Sequence, residues 1–420
     1  MTAEKVSVVG LGKLGVCLAV CLARRGFEVF GTDSDLRVCE LLKQKKSQVR
    51  EPRLTELLEQ YGHKITLSNS ADKIVSESDI SFIILPTPST PDGSFSNAFL
   101  VNALKVLAQA LKKKDGYHLF VIVSTVSPLS VEKELIPVLE AHSGKKAHKE
   151  FGICYSPEFI ALGDVINGIL NPDMILIGEG DKKAGDVLEG IYRQLSENNA
   201  PFARMNIVSA EIMKISLNAY ITMKLSYVNT LGNICDRIGG ADVDSITGAL
   251  GLDRRISPKY LRYGPAFGGP CFPRDNRAFQ HFARQVGIEA PLSEATDKVN
   301  AAQSERLLER VAKLIGNGKN DVVALYGLAY KPHTPVTEES PSVSLIRLLL
   351  ERYPDIRIQV YDEVATGVTN DRIRYCNSFE DLLESATVLA LMFPLRESKY
   401  KQLIRNSSIP LIDCWRSVAL

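Results

Sequence analysis

The chain has 420 residues, of which 45% are hydrophobic and 24% are charged, a composition typical of soluble globular proteins. This length predicts more than one domain, about two to four. Fifty basic residues against 49 acidic ones leave a net charge of +1, which argues against a large nucleic-acid surface or a polybasic membrane contact.

The eight cysteines and six histidines show no spacing that is typical of a metal site or a disulfide framework. The first residues, MTAEKVSVVGLG, lead directly into a strand-like run and lack the layout of a signal peptide. No apolar run reaches the length that spans a membrane. We therefore expect a cytoplasmic protein in a reducing compartment, with no metal site, no nucleic-acid partner and no membrane contact.

The first part of the chain alternates short apolar runs with helical stretches. Because strands that alternate with helices form parallel sheets covered on both faces, this region predicts a doubly wound α/β domain. The strand-like runs occupy residues 5–9, 28–33, 79–88, 118–126, 152–158 and 174–180.

The middle of the chain is predicted to be helical. Residues 210–235 form one long helical pattern, and more helix is expected at 242–250 and 293–315, with no evident strand. The sequence GNGKN at 316–320 is typical of a linker.

An α/β pattern returns after this linker, with a helix predicted from Ser342. The predicted fold class is therefore α/β, with two Rossmann-like doubly wound domains joined by a central helical domain that contains one long helix. The predicted domains are 1–205, 206–315 and 316–420. The strand-like runs of the last domain are 321–330, 356–362, 386–393 and 409–414.

The stretch VSVVGLGKLGVCLA places Gly10, Gly12 and Gly15 as GxGxxG, directly after a predicted strand and before a helix. In such a turn the first glycine allows a tight bend, the second lets the backbone approach a pyrophosphate, and the third lets helix and strand pack closely. Asp33 ends the next strand, where an acid accepts from ribose hydroxyls and repels a 2′-phosphate. The pattern predicts NAD rather than NADP.

Two other kinds of segment bear candidate chemical side chains. Thr87 in LPTPSTPDG, Thr125 in VSTVSP and Glu158 in YSPEF each follow a predicted strand, at the edge where parallel sheets bind ligands. Each also has a plain interpretation, an ordinary strand-end hydroxyl or a solvated loop acid. On the long helix, Lys214 and Asn218 share a face at i and i+4, and the residues alone favour a lysine that extends to water.

The stretch GPAFGGPCFPRDN, residues 264–276, sets Cys271 among glycines and prolines. The interior of a helix or strand does not tolerate this composition, so the stretch predicts a loop. A thiol in such a loop is either a small buried side chain or a nucleophile, and the loop alone does not decide between them.

Together these motifs resemble the nucleotide-sugar 6-dehydrogenases of the UDP-glucose/GDP-mannose dehydrogenase family. The likeness covers nearly the whole chain and rests on GLGKLG, LPTP, STVSP, SPEF and KISLN, and above all on FGGPCFPRD followed by GLAYKPHT. It implies an NAD-binding Rossmann domain, a central helical section that forms a homodimer contact, and a C-terminal domain that holds the nucleotide of the substrate. It also implies oxidation of a sugar C6 alcohol to a carboxylate with two NAD per sugar.

The resemblance also implies catalytic roles. Cys271 resembles the nucleophile that holds the sugar as a thiohemiacetal and then as a thioester, which water cleaves. Lys214 and Asn218 resemble donors to the developing oxyanion. Asp275 and Glu158 resemble the residues that handle water and protons, and Thr125 resembles one that holds a water near C6.

The binding sites follow by the same likeness, and Arg255 resembles an arginine that reaches the substrate of the neighbouring subunit. The implied cofactor site comprises Gly10, Leu11, Gly12, Lys13, Leu14, Gly15, Asp33, Thr87, Thr125 and Arg274. The implied substrate site comprises Glu158, Phe159, Leu162, Lys214, Asn218, Arg255, Tyr260, Phe267, Gly268, Tyr330 and Lys331.

The sequence departs from the family pattern at several positions. Leu162 stands where glucose- and mannose-type members usually have a second glutamate, and Glu338 stands where an arginine is frequent. Cys414 and Trp415 replace part of a usual Asp-Gly-Arg, with Arg416 as a candidate substitute for the arginine. UDP-glucose giving UDP-glucuronate is the leading expectation, and the CFPRD sequence favours a sugar that is not N-acetylated. A UDP-N-acetylhexosamine or another NDP-hexose is the alternative.

Two other classes of protein remain open from the sequence. A two-electron hydroxyacid dehydrogenase of similar architecture needs no thiol in this loop. A sugar-nucleotide-binding protein without activity would have a damaged catalytic set, whereas Cys271, Lys214, Asn218 and Asp275 are all present.

Overall fold

The structure is a computed structural model that describes residues 5–160, 163–316 and 319–418. The chain divides into two compact units, Met1–Ile215 and Ser216–Leu420. The predicted three-domain division at residues 205 and 315 stays a prediction. None of the helices in the described residues is long and apolar enough to cross a bilayer.

The first unit contains one sheet, called the first sheet here. Its strands in the described residues are β1 Lys5–Val9, β2 Glu28–Thr32, β3 Ile65–Leu67, β4 Ile80–Ile83, β5 Leu119–Ile122, β6 Gly152–Tyr155, β7 Ile175–Glu179 and β8 Phe202–Asn206. Their order is β3-β2-β1-β4-β5-β6-β7-β8. Neighbours are parallel except β6 and β7, which are antiparallel.

Helices cover both faces of the first sheet because alternate residues of its central strands point to opposite sides. Val8 and Phe82 lie in one buried apolar cluster, whereas Val9 and Ile83 lie in the other. A 3-10 turn covers Gly62–Lys64 and a π-helix covers Val131–Leu135. The α-helices are α1 Gly15–Arg24, α2 Leu36–Lys43, α3 Leu54–Tyr61, α4 Ala71–Glu77, α5 Ala98–Lys113, α6 Ile136–Ser143, α7 Val165–Leu170 and α8 Lys182–Leu195.

The unit boundary falls within the long helix α9, Ile207–Ile238. The helices that follow are α10 Val243–Leu252, α11 Phe272–Gln285, α12 Pro291–Ala312, α13 Pro341–Arg352, α14 Phe379–Leu383 and α15 Ser398–Arg405. The second sheet consists, in the described residues, of β9 Val322–Tyr326, β10 Arg357–Tyr361, β11 Ile373–Tyr375, β12 Val388–Leu391 and β13 Leu411–Asp413. Its order is β11-β10-β9-β12-β13, with every neighbouring pair parallel.

This architecture confirms the predicted fold class, and the differences are local. The sequence gives no apolar run for β3, β8 and β11, which are the outer strands of their sheets and are half-exposed at most positions. Such edge strands need no continuous apolar face.

The predicted loop at 264–276 is wrong in its last part, because α11 begins at Phe272. Pro273 is tolerated there, since the first turn of a helix needs no backbone N–H from it.

Candidate active site

The turn between β1 and α1 has the geometry expected of a dinucleotide-binding loop. A Cβ on Gly10, whose φ is +94°, would lie 2.1 Å from the carbonyl oxygen of Ile84, and one on Gly15 would lie 1.8 Å from that of Gly10. A Cβ on Gly12 would meet no heavy atom within 4 Å. Two glycines therefore permit close packing, while Gly12 leaves the space in which a pyrophosphate fits.

Asp33 follows β2 and faces this turn. Its Oδ2 accepts from the backbone N–H of Leu11 at 2.7 Å, and its Oδ1 accepts from that of Asp35 at 2.8 Å. A carboxylate has about four acceptor positions, so the group can still accept from ribose hydroxyls. Of the other predicted loop residues, Leu11 is buried, Lys13 is exposed and Leu14 is half-buried.

The loops after β4 and β5 are bonded to each other. The hydroxyl of Thr87 donates to the carbonyl oxygen of Thr125 at 2.6 Å. The hydroxyl of Ser124 accepts from the Leu85 N–H at 2.8 Å and donates to the Leu85 oxygen at 2.7 Å. The Thr87 hydroxyl therefore helps to join the two loops. Thr125 is partly exposed and lies at the carboxyl edge of the sheet.

Glu158 lies three residues after the end of β6. Burial raises the pKa of its carboxyl to about 7, although the positive charge of Lys214 and a hydrogen bond with Tyr192 act in the opposite direction. A carboxyl with this pKa exchanges protons near neutral pH. Neighbouring Leu162 lies outside the described residues.

Lys214 on α9 is only 7% exposed, so the interpretation of a lysine that extends to water is wrong. Its Nζ donates to the carbonyl oxygen of Glu158 at 2.6 Å and lies 4.4 Å from the ring centroid of Phe159. A buried ammonium that is held by a carbonyl and an aromatic ring is a fixed positive charge.

Cys271 lies at the N-cap of α11, where the partial positive charge of a helix N-terminus favours an anion. It is the one exposed cysteine of the eight, all of which lie in the described residues. The interpretation of a small buried thiol is therefore wrong for Cys271. It holds for Cys154, whose thiol pKa is raised by burial.

The first turn of α11 contains a fixed arrangement of charges. Asp275 is fully buried, and its Oδ2 accepts from the Asn218 amide at 2.6 Å. Its Oδ1 accepts from Nε of Arg274 at 3.0 Å. The carboxylate therefore sets the orientation of the Asn218 amide and neutralises part of the charge on Arg274.

The glycines before Cys271 pack against the segment that follows β9. A Cβ on Gly268 would lie 2.0 Å from the carbonyl oxygen of Glu339, and one on Gly269 would lie 2.5 Å from the ring of Tyr330. The Gly269 N–H also donates to the carbonyl oxygen of Glu338 at 3.1 Å. Close packing within the chain thus requires these glycines. Burial and the nearby Cys271 raise the pKa of Tyr330 to about 12.

Aromatic rings surround the start of α11. The ring centroids of Tyr260 and Phe267 each lie 6.4 Å from that of Phe272, in edge-on geometry. Nζ of Lys331 lies 5.8 Å from the ring centroid of Tyr330. The structure thus places the predicted substrate residues Tyr260 and Phe267 against Phe272, the residue that follows Cys271.

Other predicted residues have local partners. Arg255 is exposed and bonds to Asp253 at 2.6 and 2.9 Å. Arg416, the candidate substitute arginine, makes two 2.6 Å bonds to Asp244. Trp415 donates from its indole N–H to the Met392 oxygen at 2.7 Å.

Glu211 on α9 is a site-forming residue that sequence reasoning missed. It is fully buried, and its carboxylate accepts from the backbone N–H groups of Leu129 and Val131 at 2.7 and 2.9 Å. These bonds fix the segment that follows Thr125. Burial raises the pKa of Glu211 to about 7. In the sequence, the signal that could have identified Glu211 is an acidic residue among the apolar residues of AEIMKI.

The fold and the glycine turn are typical of NAD-binding oxidoreductases. No group of three or more histidine, cysteine or acidic side chains in the described residues is placed to hold a metal ion. Three models of the UDP-glucose/GDP-mannose dehydrogenase family match: the NAD binding domain at residues 4–196, the central domain at 208–302 and the UDP binding domain at 324–418. The chain belongs to this family.

Known relatives match over most of the chain. The UDP-glucose 6-dehydrogenase AglM of Haloferax volcanii is 35% identical over 91% of this chain and 89% of its own. The GDP-mannose 6-dehydrogenase of Pseudomonas aeruginosa is 35% identical over 84% and 80%. A solved UDP-glucose dehydrogenase from the hyperthermophilic archaeon Pyrobaculum islandicum matches with a TM-score of 0.90 and 30% identity, over 99% of this chain and 95% of that chain.

Family membership makes the protein an NAD-dependent nucleotide-sugar 6-dehydrogenase and confirms the predicted cofactor. The hydroxyacid dehydrogenase and the protein without activity are thereby set aside.

Proposed function

We propose that the protein oxidises the C6 alcohol of UDP-glucose to the carboxylate of UDP-glucuronate. The TM-score of 0.90 to a UDP-glucose dehydrogenase over 99% of the chain supports this substrate. GDP-mannose is a second candidate, because a GDP-mannose 6-dehydrogenase is equally similar in sequence, at 35% identity. A UDP-N-acetylhexosamine is a third candidate, because Leu162 replaces a usual glutamate.

The covalent route rests on one observation, the exposed position of Cys271 at the start of α11. NAD, when bound, accepts a hydride from C6 in each of two stages. The first stage leaves an aldehyde, to which the thiolate of Cys271 adds to form a thiohemiacetal. Loss of the second hydride leaves a thioester, and water cleaves it to the carboxylate and the free thiol.

The other catalytic roles are those that the family resemblance implies, and the buried charge of Lys214 and the raised pKa of Glu158 support two of them. Lys214 and Asn218 donate to the oxygen of C6 on which negative charge develops. Glu158, whose pKa is about 7, moves protons to and from water and substrate, and Thr125 holds the water. Asp275 fixes the Asn218 amide through their 2.6 Å hydrogen bond.

The remaining side chains are proposed to bind. Arg274 contacts a cofactor phosphate, and Arg255 reaches the substrate of a second subunit. The other substrate contacts are Phe159, Tyr260, Phe267, Gly268, Tyr330 and Lys331.

A panel of nucleotide sugars tests the proposal. The purified protein is incubated with NAD and UDP-glucose, GDP-mannose, UDP-N-acetylglucosamine or UDP-N-acetylmannosamine, and NADH is counted per sugar consumed. We expect two NADH per UDP-glucose and the highest kcat/KM with that sugar. One NADH per sugar would refute the four-electron reaction, and a higher kcat/KM with another sugar would refute the substrate.

The role of Cys271 has its own test. Cys271→Ser should lose the formation of acid, and a carbonyl-trapping reagent should detect aldehyde. The matched control is Cys154→Ser, which changes a buried thiol and should keep the stoichiometry of two. Acid formation at the normal rate by Cys271→Ser would exclude covalent catalysis at this residue.

We also propose a homodimer in which a second copy covers an apolar stripe of α9. Tyr220, Tyr227, Ile234 and Ile238 are exposed large apolar residues at spacings that keep them on one helix face. Tyr227→Glu should shift the sedimentation coefficient from that of a dimer to that of a monomer. Val106→Glu, at an exposed apolar residue of α5, is the control and should stay dimeric. An unchanged Tyr227→Glu dimer would contradict this interface.

A further inference from the structure

Side-chain amides bind the backbone at the start of the cysteine loop, residues 264–271. The Gly264 N–H donates to Oδ1 of Asn229 at 3.2 Å, and Nδ2 of Asn229 donates to the carbonyl oxygen of Pro265 at 3.3 Å. Nε2 of Gln303 donates to the carbonyl oxygen of Gly264 at 3.0 Å. A segment rich in glycine and proline forms no strand ladder, so these amides take the place of backbone partners.

Asn300 on α12 makes the most complete of these contacts. Its Oδ1 accepts from the Phe267 N–H at 2.8 Å, and its Nδ2 donates to the Phe267 carbonyl oxygen at 3.0 Å. One side chain thus satisfies both polar groups of a residue that precedes Cys271 by four positions. These two hydrogen bonds together fix both the position and the orientation of the Phe267 peptide groups.

The same helix holds the chain on the other side of the thiol. Nδ2 of Asn276, on α11, donates to Oδ1 of Asp297 at 2.7 Å and to the carbonyl oxygen of Ser293 at 3.0 Å. Asp297 and Asn300 are three residues apart on α12 and therefore share a face. This face of α12 binds the backbone before Cys271 and the helix after it.

A pocket borders the loop on the side of α12. A cavity of about 510 Å³ lies beside the loop and is lined by Phe267, Pro273, Asp297, Asn300 and Ser304, among others. Phe267 is buried and its ring packs edge-on against Phe272, so hydrogen bonds to Asn300 and side-chain packing together hold it in place.

We propose that Asn300 is a positioning residue for the Cys271 thiol, an inference that rests on the proposed role of Cys271 as nucleophile. The thiolate must stand within about 3–3.5 Å of C6 to react, and a misplacement of about 1 Å costs on the order of 100-fold in rate. Asn300 acts through its two hydrogen bonds to the Phe267 backbone.

The test compares Asn300→Ala with Ser304→Ala, a control on the same helix that lines the same cavity. We expect Asn300→Ala to lower kcat on the order of 100-fold and to leave KM for NAD within about twofold. Amide hydrogen exchange in the peptide that contains residues 264–276 should become faster. Ser304→Ala should match the wild type in all three measurements.

Asn300→Asp keeps the acceptor for the Phe267 N–H and loses the donor to its carbonyl oxygen. We expect kcat and exchange between those of wild type and Asn300→Ala, and this variant also serves if Asn300→Ala does not fold. Wild-type kcat and wild-type exchange in both variants would overturn the proposal. So would a loss of kcat with an equal rise in KM for NAD, because that pattern reports an effect on cofactor binding rather than on the position of the thiol alone.

Failure of the nucleophile role is distinguishable. Cys271→Ser with normal acid formation would refute the nucleophile, whereas the exchange of residues 264–276 reports the loop contact whatever Cys271 does.

Discussion

The first and second sheets share a core of the same topology and differ in what surrounds it. The order β3-β2-β1-β4-β5 in the first sheet corresponds strand for strand to β11-β10-β9-β12-β13 in the second, and all these pairs are parallel. In both, a glycine with positive φ directly follows the first strand of the core, Gly10 with φ +94° after β1 and Gly327 with φ +98° after β9.

Each turn is fastened by an aspartate at the end of the neighbouring strand. Asp33 accepts from the N–H of Leu11 in the first sheet's turn. Asp362 accepts from Leu328 and Ala329 in the second sheet's turn, and also from Val364 and Ala365. An acid at this position is therefore first a turn-forming residue. Asp362 is occupied by four backbone N–H groups, whereas Asp33 keeps capacity for a ligand.

The first sheet departs from the shared core in two ways. Gly12 leaves open space and Gly15 begins α1 directly, whereas the second turn runs through residues 327–340 before α13 begins at Pro341. The first sheet also continues through β6, β7 and β8, and Glu158 follows the first of these strands. The core that both sheets share is suited to nucleotide binding. The glycine turn of the first sheet is the feature typical of a dinucleotide site, and the extension through β6, β7 and β8 places Glu158, whose pKa is about 7.

The largest expected effect comes from the packing of the first turn. A Cβ introduced by Gly15→Ala would lie 1.8 Å from the Gly10 carbonyl oxygen, so β1 and α1 must move apart. We expect a loss of about 4 kcal/mol or more in the free energy of unfolding, measured in urea. Gly12→Ala is the control, because its Cβ meets no atom within 4 Å, and it should change stability by less than about 0.5 kcal/mol. Equal stabilities of the two variants would contradict this.

The second turn is tested by Asp362→Asn. The new amide group must face two of the four backbone N–H groups that the carboxylate accepts, which leaves donors opposed to donors. We expect a loss of about 3 kcal/mol in the free energy of unfolding. KM for NAD should not change, because the matched NAD binding domain covers residues 4–196. A stability loss from Asp33→Asn as large as that from Asp362→Asn would erase the contrast between the two acids.

The two turns show how far the sequence alone can predict this protein. GxGxxG and Asp33 are visible because glycine spacing and strand ends are local properties. Asp362 also ends a predicted strand, but YGLAYKPHT has only one glycine, so no glycine spacing marks the turn that this acid completes.

The roles of Asn300 and Glu211 escape sequence reasoning as well. A side-chain amide or carboxylate becomes structural only through partners such as Phe267 and Val131, which the fold brings near. Cys271 could be singled out from its loop, but its exposure and the start of α11 directly after it could not.

The cofactor preference of Asp33→Asn tests whether Asp33, unlike Asp362, binds a ligand as well as forming its turn. Removal of the negative charge takes away the repulsion of a 2′-phosphate and weakens the acceptance of ribose hydroxyls. We expect KM for NAD to rise about tenfold, equivalent to about 1.4 kcal/mol, and activity with NADP to appear. Asp35→Asn, which alters the cap of α2 two residues away, is the control and should keep the NAD preference. An unchanged ratio of kcat/KM for NAD and NADP would mean that Asp33 serves the turn alone.

The smallest expected effect concerns Glu158, beyond the shared core. Its pKa is raised from 4.5 to about 7, so the native state holds a proton that the unfolded chain releases near pH 4.5. This group therefore favours the folded state fully below pH 4.5, and its contribution is lost as the pH rises to about 7.

Glu158→Gln should lose less stability than the wild type between pH 5 and pH 8, measured by urea unfolding at both pH values. Over this pH range the full shift corresponds to about 2.5 kcal/mol, but Glu158 is only half-buried, so screening by water should reduce the difference to about 1 kcal/mol. Glu211, whose pKa is also about 7, still titrates in the variant, so part of the slope persists. Glu56→Gln, at an exposed acid of the same unit, should keep the wild-type slope. If Glu158→Gln also kept the wild-type slope of stability against pH, the proton on Glu158 would not contribute to that slope. Glu158 would then not distinguish the extension of the first sheet from the core that both sheets share.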